Sequence, residues 1–406
     1  MRQGYLSEFF SGVAAKALSA VEADLFRSNQ HEFNGTAALK ELFGTGAGRQ
    51  NFAARFIYLA DDQDAPVTAD GFLTWYDARE SHPSRSEYRL YFPTTSVSDQ
   101  AVEGDLLIIA KRQDNSLLVV VASEGSTIAS QLCWLFGLSA TPDQGFLLRH
   151  EAESDNVRID YAARVVLDEI EVEPVQEAPD WLDVMLDKFG AAFPTTSIFS
   201  AFSRSTLPGL DPRDDADLAL IAWMEREEAL FRTLERHIVG ERLKSGFADD
   251  VDGFLSYSLS VQNRRKSRVG HALENHLQEV FRQHAITHTR TGITENKSKP
   301  DFLFPGVSAY HDASFPAARL TMLGVKSTCK DRWRQVLAEA DRIECKHLLT
   351  LEPGISKAQT DEMKQKRLTL VLPRQLHASY TNKQQEQLMN VTEFIEHVSE
   401  KSELNL

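Results

Sequence analysis

Lys299-Pro300-Asp301-Phe302-Leu303-Phe304-Pro305, followed by Thr321-Met322-Leu323-Gly324-Val325-Lys326-Ser327, decides the fold. Each segment holds a short apolar run bounded by turn-forming residues, the pattern of a buried strand. Upstream, Leu273, Leu277, Val280 and Phe281 recur on one helical face and predict a helix over 271–283. Downstream, Trp333, Val336, Leu337 and Ala340 repeat the pattern and predict a helix from Asp331 to Cys345. Leu368 to Leu372, stopped by Pro373, reads as another strand, and Asp217 to Gly240 as a long helix ended by its glycine. Helix, strand, strand, helix, strand is an α/β order.

The same stretch carries chemistry. Asp301 opens one strand, Lys326 lies inside the next, and Glu339 falls on the helix expected after it. Metal-dependent phosphodiester hydrolysis needs such a set: hard carboxylate oxygens for Mg²⁺, and a lysine to orient water and offset charge on the phosphate. Singly, each residue has a plainer reading. Asp301 suits a turn, Lys326 an edge strand, and Glu339 a surface pair with Arg342. After the second strand comes Lys330-Asp331-Arg332. In a major groove, Lys or Arg donates to guanine and Asp accepts from cytosine, so a base-acid-base triplet suits adjacent C·G pairs. Asp331 could equally cap its helix.

Charge is divided unevenly. Of the net −15, residues 1–250 carry −19, residues 251–350 carry +5 and residues 351–406 carry −1. The densest basic run is Asn263-Arg264-Arg265-Lys266-Ser267-Arg268, which by itself reads as a solvated face. Residues 168–180 are acidic, with Pro174 and Pro179, and read as a linker between an N-terminal domain at 1–167 and a C-terminal domain at 181–406. The N-terminal part is β-rich. Arg55 to Ala60, Phe72 to Ala78, Tyr88 to Phe92, Asp105 to Lys111 and Leu117 to Ser123 are strand-like, with a hairpin turn at 113–116 and a helix over 127–137. Such short strands favour a small barrel or sandwich.

The stretch Ser258 to Leu349 resembles the catalytic domain of EcoRII-like type II restriction endonucleases, which are PD-(D/E)XK nucleases. The resemblance is carried by residues 261–268 and 299–305, by Ala309-Tyr310-His311-Asp312, and by Val325-Lys326 through Cys329-Lys330-Asp331-Arg332-Trp333-Arg334-Gln335. It implies a mixed sheet flanked by helices that cuts double-stranded DNA with Mg²⁺. Asp301 and Glu339 would bind the metal, Lys326 would be the catalytic lysine and Glu274 an auxiliary acid. Lys330, Asp331 and Arg332 would read the CC and GG halves of a pseudopalindrome whose central pair is flipped out. Tyr310 and Arg226 are candidates for the flipped-base pocket. Arg85-Ser86-Glu87-Tyr88-Arg89-Leu90 is similar to the family's effector-DNA segment. That implies a DNA-binding pseudobarrel contacting DNA through Arg85, Glu87 and Arg89, with Tyr88 where the family has a basic residue. The resemblance also implies a homodimer, and an N-terminal domain that covers the catalytic cleft until a second site is bound.

A DNA-binding or regulatory protein on the same fold is the alternative function; the complete Asp301/Lys326/Glu339 set disfavours it. His276, His284 and His288 match no zinc spacing and read as surface, loop or DNA-proximal residues. Cys133, Cys329 and Cys345 form no CxxC, no apolar stretch reaches the roughly 20 residues of a membrane helix, and the N-terminus does not read as a secretory signal. The expectation is a cytoplasmic protein with reduced thiols, no membrane contact and no nucleotide cofactor.

Overall fold

The computed structural model describes residues 9–23, 31–63, 66–82, 84–138, 145–149, 181–327, 329 and 332–403. The stretch 168–180, Lys330 and Asp331 lie outside the described residues. The chain divides into two compact units. The first comprises 1–157, 165–172 and 353–360; the second comprises 158–164, 173–352 and 361–406.

The first unit is built on eight strands: β1 (Gly12–Ala17), β2 (Glu32–Asn34), β3 (Gln50–Leu59), β4 (Val67–Asp77), β5 (Tyr88–Tyr91), β6 (Leu106–Lys111), β7 (Leu117–Ala122) and β8 (Leu147–Arg149). They form one sheet in the order β2-β5-β4-β3-β7-β6-β1-β8, parallel only at β3–β7. All five expected strands are present. The β6–β7 hairpin turns as expected, with Ser116 O accepting from Arg112 N at 2.8 Å and Asn115 left-handed at φ 66°. Nearly every residue of β6 and β7 is buried, which is why both read as unbroken apolar runs. Helix α1 (Ala37–Phe43) adds Leu39, Leu42 and Phe43 to a core that includes Phe52, Leu73 and Trp75. Helix α2 (Thr127–Leu135) is capped by Ser126, whose Oγ accepts from Ala129 N at 3.1 Å.

The second unit holds a helical layer and a five-stranded sheet. Its first helices are α3 (Leu182–Phe189), α4 (Thr196–Ser205), α5 (Ala216–Ser245) and α6 (Val251–Gln283). Gly240 does not end α5; Gly246 does, at φ 71°. The helix expected over 271–283 is the buried half of the much longer α6. The strands β9 (Thr289–Arg290), β10 (Phe302–Phe304), β11 (Thr321–Lys326), β12 (Lys346–Thr350) and β13 (Leu368–Val371) lie in the order β13-β12-β11-β10-β9. Pairing is antiparallel at β9–β10 and β10–β11 and parallel at β11–β12 and β12–β13, so the sheet is mixed as expected.

Helices pack on both faces of that sheet. Phe281 of α6 meets Phe302 and Phe304 edge-on, each at 5.2 Å. Phe302 pairs with Leu323, so Leu323 and Val325 share its face, while Gly324 and Lys326 point the other way. On that opposite face lies α8 (Trp333–Leu337); the short α7 (Val307–His311) precedes β11, and α9 (Val391–Glu403) closes the chain. A Cβ on Gly324 would stand 2.8 Å from Val336 Cγ2, so a side chain there would push α8 off the sheet. Of the helix expected over Asp331 to Cys345 only Trp333–Leu337, in its first half, is helical, and β12 starts directly after Cys345.

Candidate active site

The β10–β11 register brings Asp301 beside the end of β11. Asp301 Oδ2 accepts from Val325 N at 2.6 Å and from Lys326 Nζ at 3.0 Å. Lys326 lies on the α8 face of the sheet, and the chain leaving α8 carries Glu339. Glu339 is not helical as expected. It sits in the turn after α8, its N–H donating to Val336 O at 3.2 Å, and left-handed Ala340 (φ 53°) then redirects the chain toward β12. Burial pushes the Glu339 carboxyl pKa up; Lys326 opposes that shift, Asp301 adds to it, and Lys346 opposes it. Glu339 Oε2 is buried without a hydrogen-bond partner. Asp301, Lys326 and Glu339 therefore share one electrostatic neighbourhood.

This donor set fits a hard divalent cation. Two carboxylates converge, and one keeps a buried oxygen that accepts no hydrogen bond. No group of three His, Cys, Asp or Glu that could hold a metal occurs among the described residues. Backbone carbonyl, water or phosphate oxygens would have to complete the shell.

Lys346, Tyr310, Glu295 and Arg290 brace these groups and Glu274, and of the four only Tyr310 was singled out in the sequence. Lys346 Nζ, almost wholly buried, donates to Ile343 O at 3.2 Å and Ala340 O at 3.5 Å, holding the Glu339 turn from beneath. Tyr310 Oη donates to Glu295 at 2.5 and 2.7 Å and accepts from Arg342 N at 3.2 Å. Glu295 also accepts from Asp341 N at 3.3 Å, so the loop leading to Asp301 is tied to the loop following Glu339. Burial and the bond to Glu295 push the Tyr310 hydroxyl up to about 12. The fourth, Arg290, holds Glu274 at 2.6 and 3.0 Å. Arg290 pairs with Phe302 and so leaves the sheet on the α6 face. The structure thus brings together Asp301, Lys326 and Glu339, and commits Glu274 to an ion pair with Arg290.

The other candidates divide the same way. Arg332 is exposed, and its backbone N–H donates to Cys329 O at 2.7 Å. Tyr310 is buried and fully engaged, while Arg226 donates to Thr206 Oγ1 at 2.7 Å and covers the Trp181 ring at 4.8 Å. In the first unit Arg85 is exposed, whereas Glu87 pairs with both Arg89 and Arg79, and Arg89 also bonds Asn34. Arg89, first, and Arg79 hold the Glu87 carboxyl below its usual range. Tyr88 is buried and stacked on Trp75 at 5.1 Å, so position 88 belongs to the core.

The basic run at 263–268 is not a solvated face. Arg268 is buried and pairs with Glu227 and Glu228 of α5, Arg265 pairs with Glu235 at 2.8 Å, and Arg264 covers the Phe193 ring. Nor is His276 a surface residue. It is fully buried, its Nδ1 accepts from Arg204 at 3.1 Å, and its Nε2 lies 3.0 Å from Glu227. Burial drives the His276 pKa down, so Glu227 is the charged partner. His284 and His288 bond backbone carbonyls. The described cysteines are all free, and no described helix is long and apolar enough to cross a membrane.

Residues 231–395 match the family model described as EcoRII C terminal. That region is EcoRII-like. The type II restriction enzyme EcoRII of Escherichia coli is 46% identical over 182 residues, 45% of this chain and 45% of that enzyme. The match thus spans less than half the length of EcoRII. Solved structures similar to this chain include metal-depleted Ecl18kI in complex with uncleaved, modified DNA (TM-score 0.46, 17% identity, 56% of this chain and 85% of that one). They also include a PspGI–substrate DNA complex (TM-score 0.43, 12% identity, 57% and 97%). The EcoRII match covers all of Asp301, Lys326, Glu339 and Arg332 within its family-model range.

Proposed function

We propose that this chain is a type II site-specific deoxyribonuclease of the EcoRII kind, hydrolysing DNA phosphodiester bonds with Mg²⁺. The observation that carries the reading is the convergence of Asp301, Lys326 and Glu339 with an unpartnered carboxylate oxygen in a region 46% identical to EcoRII. Asp301 and Glu339 would hold the metal, which when bound polarises the phosphate and lowers the pKa of coordinated water. Lys326, fixed by Asp301, places a positive charge where the attacking oxygen and the phosphate accumulate negative charge. Lys330, Asp331 and Arg332 read a short pseudopalindrome with CC/GG halves.

The enzyme acts on double-stranded DNA as a cytoplasmic homodimer whose two-fold axis mirrors the site. Residues 1–167 form an effector-DNA domain joined through 168–180 to the nuclease at 181–406. That domain keeps the nuclease quiet until a second DNA site shifts the equilibrium. Digestion of a sequenced plasmid with Mg²⁺ and mapping of the ends tests the reading. Lys326→Ala is expected to abolish cleavage while leaving DNA binding in Ca²⁺ intact; full activity of that variant removes the assignment. Cleavage of one-site DNA by residues 180–406, folded and dimeric, is expected to outpace the full chain, and equal rates remove autoinhibition.

A further inference from the structure

Glu352 is a buried carboxylate that the Asp301/Lys326/Glu339 set does not use. It follows the end of β12 by two residues and is only 4% exposed. Lys326 pairs with Thr350 at the end of the β11–β12 ladder, so Glu352 stands level with the chain that leaves β11 toward Lys330-Asp331-Arg332. A carboxylate so placed is costly unless hydrogen bonds satisfy it. Glu352 Oε2 accepts from the backbone N–H of Cys329. Cys329 is itself fully buried, and its carbonyl accepts from Arg332 N at 2.7 Å.

Glu352 is in turn held on the protein side. Its N–H donates to Thr350 Oγ1 at 3.2 Å, and its carbonyl accepts from Tyr380 Oη at 2.6 Å. Tyr380 is buried, and Gln385 donates to its carbonyl at 2.8 Å. A continuous set of ties therefore runs from β12 and Tyr380 through Glu352 and Cys329 to the backbone of Arg332. The side chain of Arg332 is exposed. A long guanidinium side chain meets one base edge reproducibly only when its backbone starts from a fixed point. The sheet cannot supply that point, because the ladder ends at Lys326. An apolar residue at position 352 would avoid the cost of burying a charge, but it would leave the Cys329 N–H without its acceptor.

We propose that Glu352 is a positioning residue for base recognition: it fixes Cys329, and through Cys329 it fixes Arg332. The inference rests on the reading that Lys330-Asp331-Arg332 contact the CC/GG halves. It divides two tasks along one strand and its exit, since Asp301 holds Lys326 and Glu352 holds Cys329.

The test is binding of the full chain in Ca²⁺ to a CC/GG duplex and to the same duplex with one G·C pair of a half-site replaced. It compares wild type, Glu352→Ala, Glu352→Gln and Arg332→Ala. Arg332→Ala measures the discrimination that the triplet supplies. Glu352→Ala is expected to lower the affinity ratio between the two duplexes at least about tenfold, within the range of one lost bidentate contact. Glu352→Gln, whose amide oxygen can still accept from Cys329 N, is expected to keep most of that ratio. A Glu352→Ala protein that loses thermal stability but keeps the wild-type ratio, while Arg332→Ala loses it, overturns the proposal and leaves the triplet reading standing. A ratio that Arg332→Ala does not move overturns the triplet reading and this inference with it. If Glu352→Ala does not fold, hydrogen exchange of the DNA-free wild type decides: slow exchange at the Cys329 and Arg332 amides supports the tie, and unprotected exchange there overturns it.

Discussion

Arg268 and Arg332 belong to the one basic region of this chain and do opposite work. Arg268 is buried, held between Glu227 and Glu228 of α5, and its neighbour Arg265 is held by Glu235. Arg332 stands in solvent at the head of α8, just beyond the strand that carries Lys326. Positive charge in a sequence is a demand for partners. The first cluster finds them in the protein, on a helix whose acidic residues lie at matching spacing. Among the described residues Arg332 pairs with no carboxylate, and a DNA duplex can supply an anionic partner.

Four measurements break or sharpen that contrast. The largest effect is expected from Arg268→Met, which strands two buried carboxylates. Urea denaturation should show a loss of about 3–5 kcal/mol, the cost of breaking a buried pair from one side. A loss below 1 kcal/mol would mean that the pair is not buried in solution. Arg332→Ala should leave stability within about 0.5 kcal/mol and cost roughly 1–3 kcal/mol per disrupted guanine contact on CC/GG duplexes. Equal weakening on scrambled duplexes would make Arg332 a backbone contact instead.

The third concerns His347, a buried base packed against His397. Burial, then the neighbouring His397 and Lys401, drive its pKa down to about 3. Its folded value lies below the unfolded value near 6.5, so the unfolded chain takes the proton first. Stability from this group is complete above about pH 6.5 and falls by up to about 1.4 kcal/mol per pH unit as pH drops toward 3. His347→Leu should flatten that acid limb, and an unchanged limb would place the loss elsewhere. The smallest effect is expected at Arg85, exposed on the first unit. Arg85→Ala should leave the thermal midpoint unchanged while lowering affinity for effector DNA in a salt-dependent manner. A salt-independent change would exclude a phosphate contact.

Three of the five strands, β10, β11 and β13, were legible in the sequence as short apolar runs closed by prolines and polar turns, and the Asp301–Lys326 pairing follows from their register, whereas β12, which starts directly after Cys345, was not read as a strand. Glu339 was legible by position but not by setting. The apolar periodicity through Ala340 continues past the real end of α8, because Ala340 packs into the core from a left-handed turn and mimics a helical position. The basic run misled for a related reason. Its partners lie a whole helix earlier, and spacing within one segment cannot show a pairing between two. Glu274 illustrates the same limit, since Arg290 belongs to a two-residue strand with no apolar signal of its own.

The tie through Glu295, Tyr310 and Arg342 has a kinetic consequence. Proteins open locally as cooperative units, and amide hydrogen exchange reads the free energy of each opening. Residues 294–301 and 338–343 lie far apart in the chain, yet one buried phenol joins them. Their amides should therefore exchange as a single unit, and Tyr310→Phe should speed both segments together. A chain wired this way releases Asp301 and Glu339, the two acids proposed to hold the metal, in one fluctuation. The arrangement of Asp301, Lys326 and Glu339 can thus be lost while the rest of the second unit stays folded, and regained without refolding.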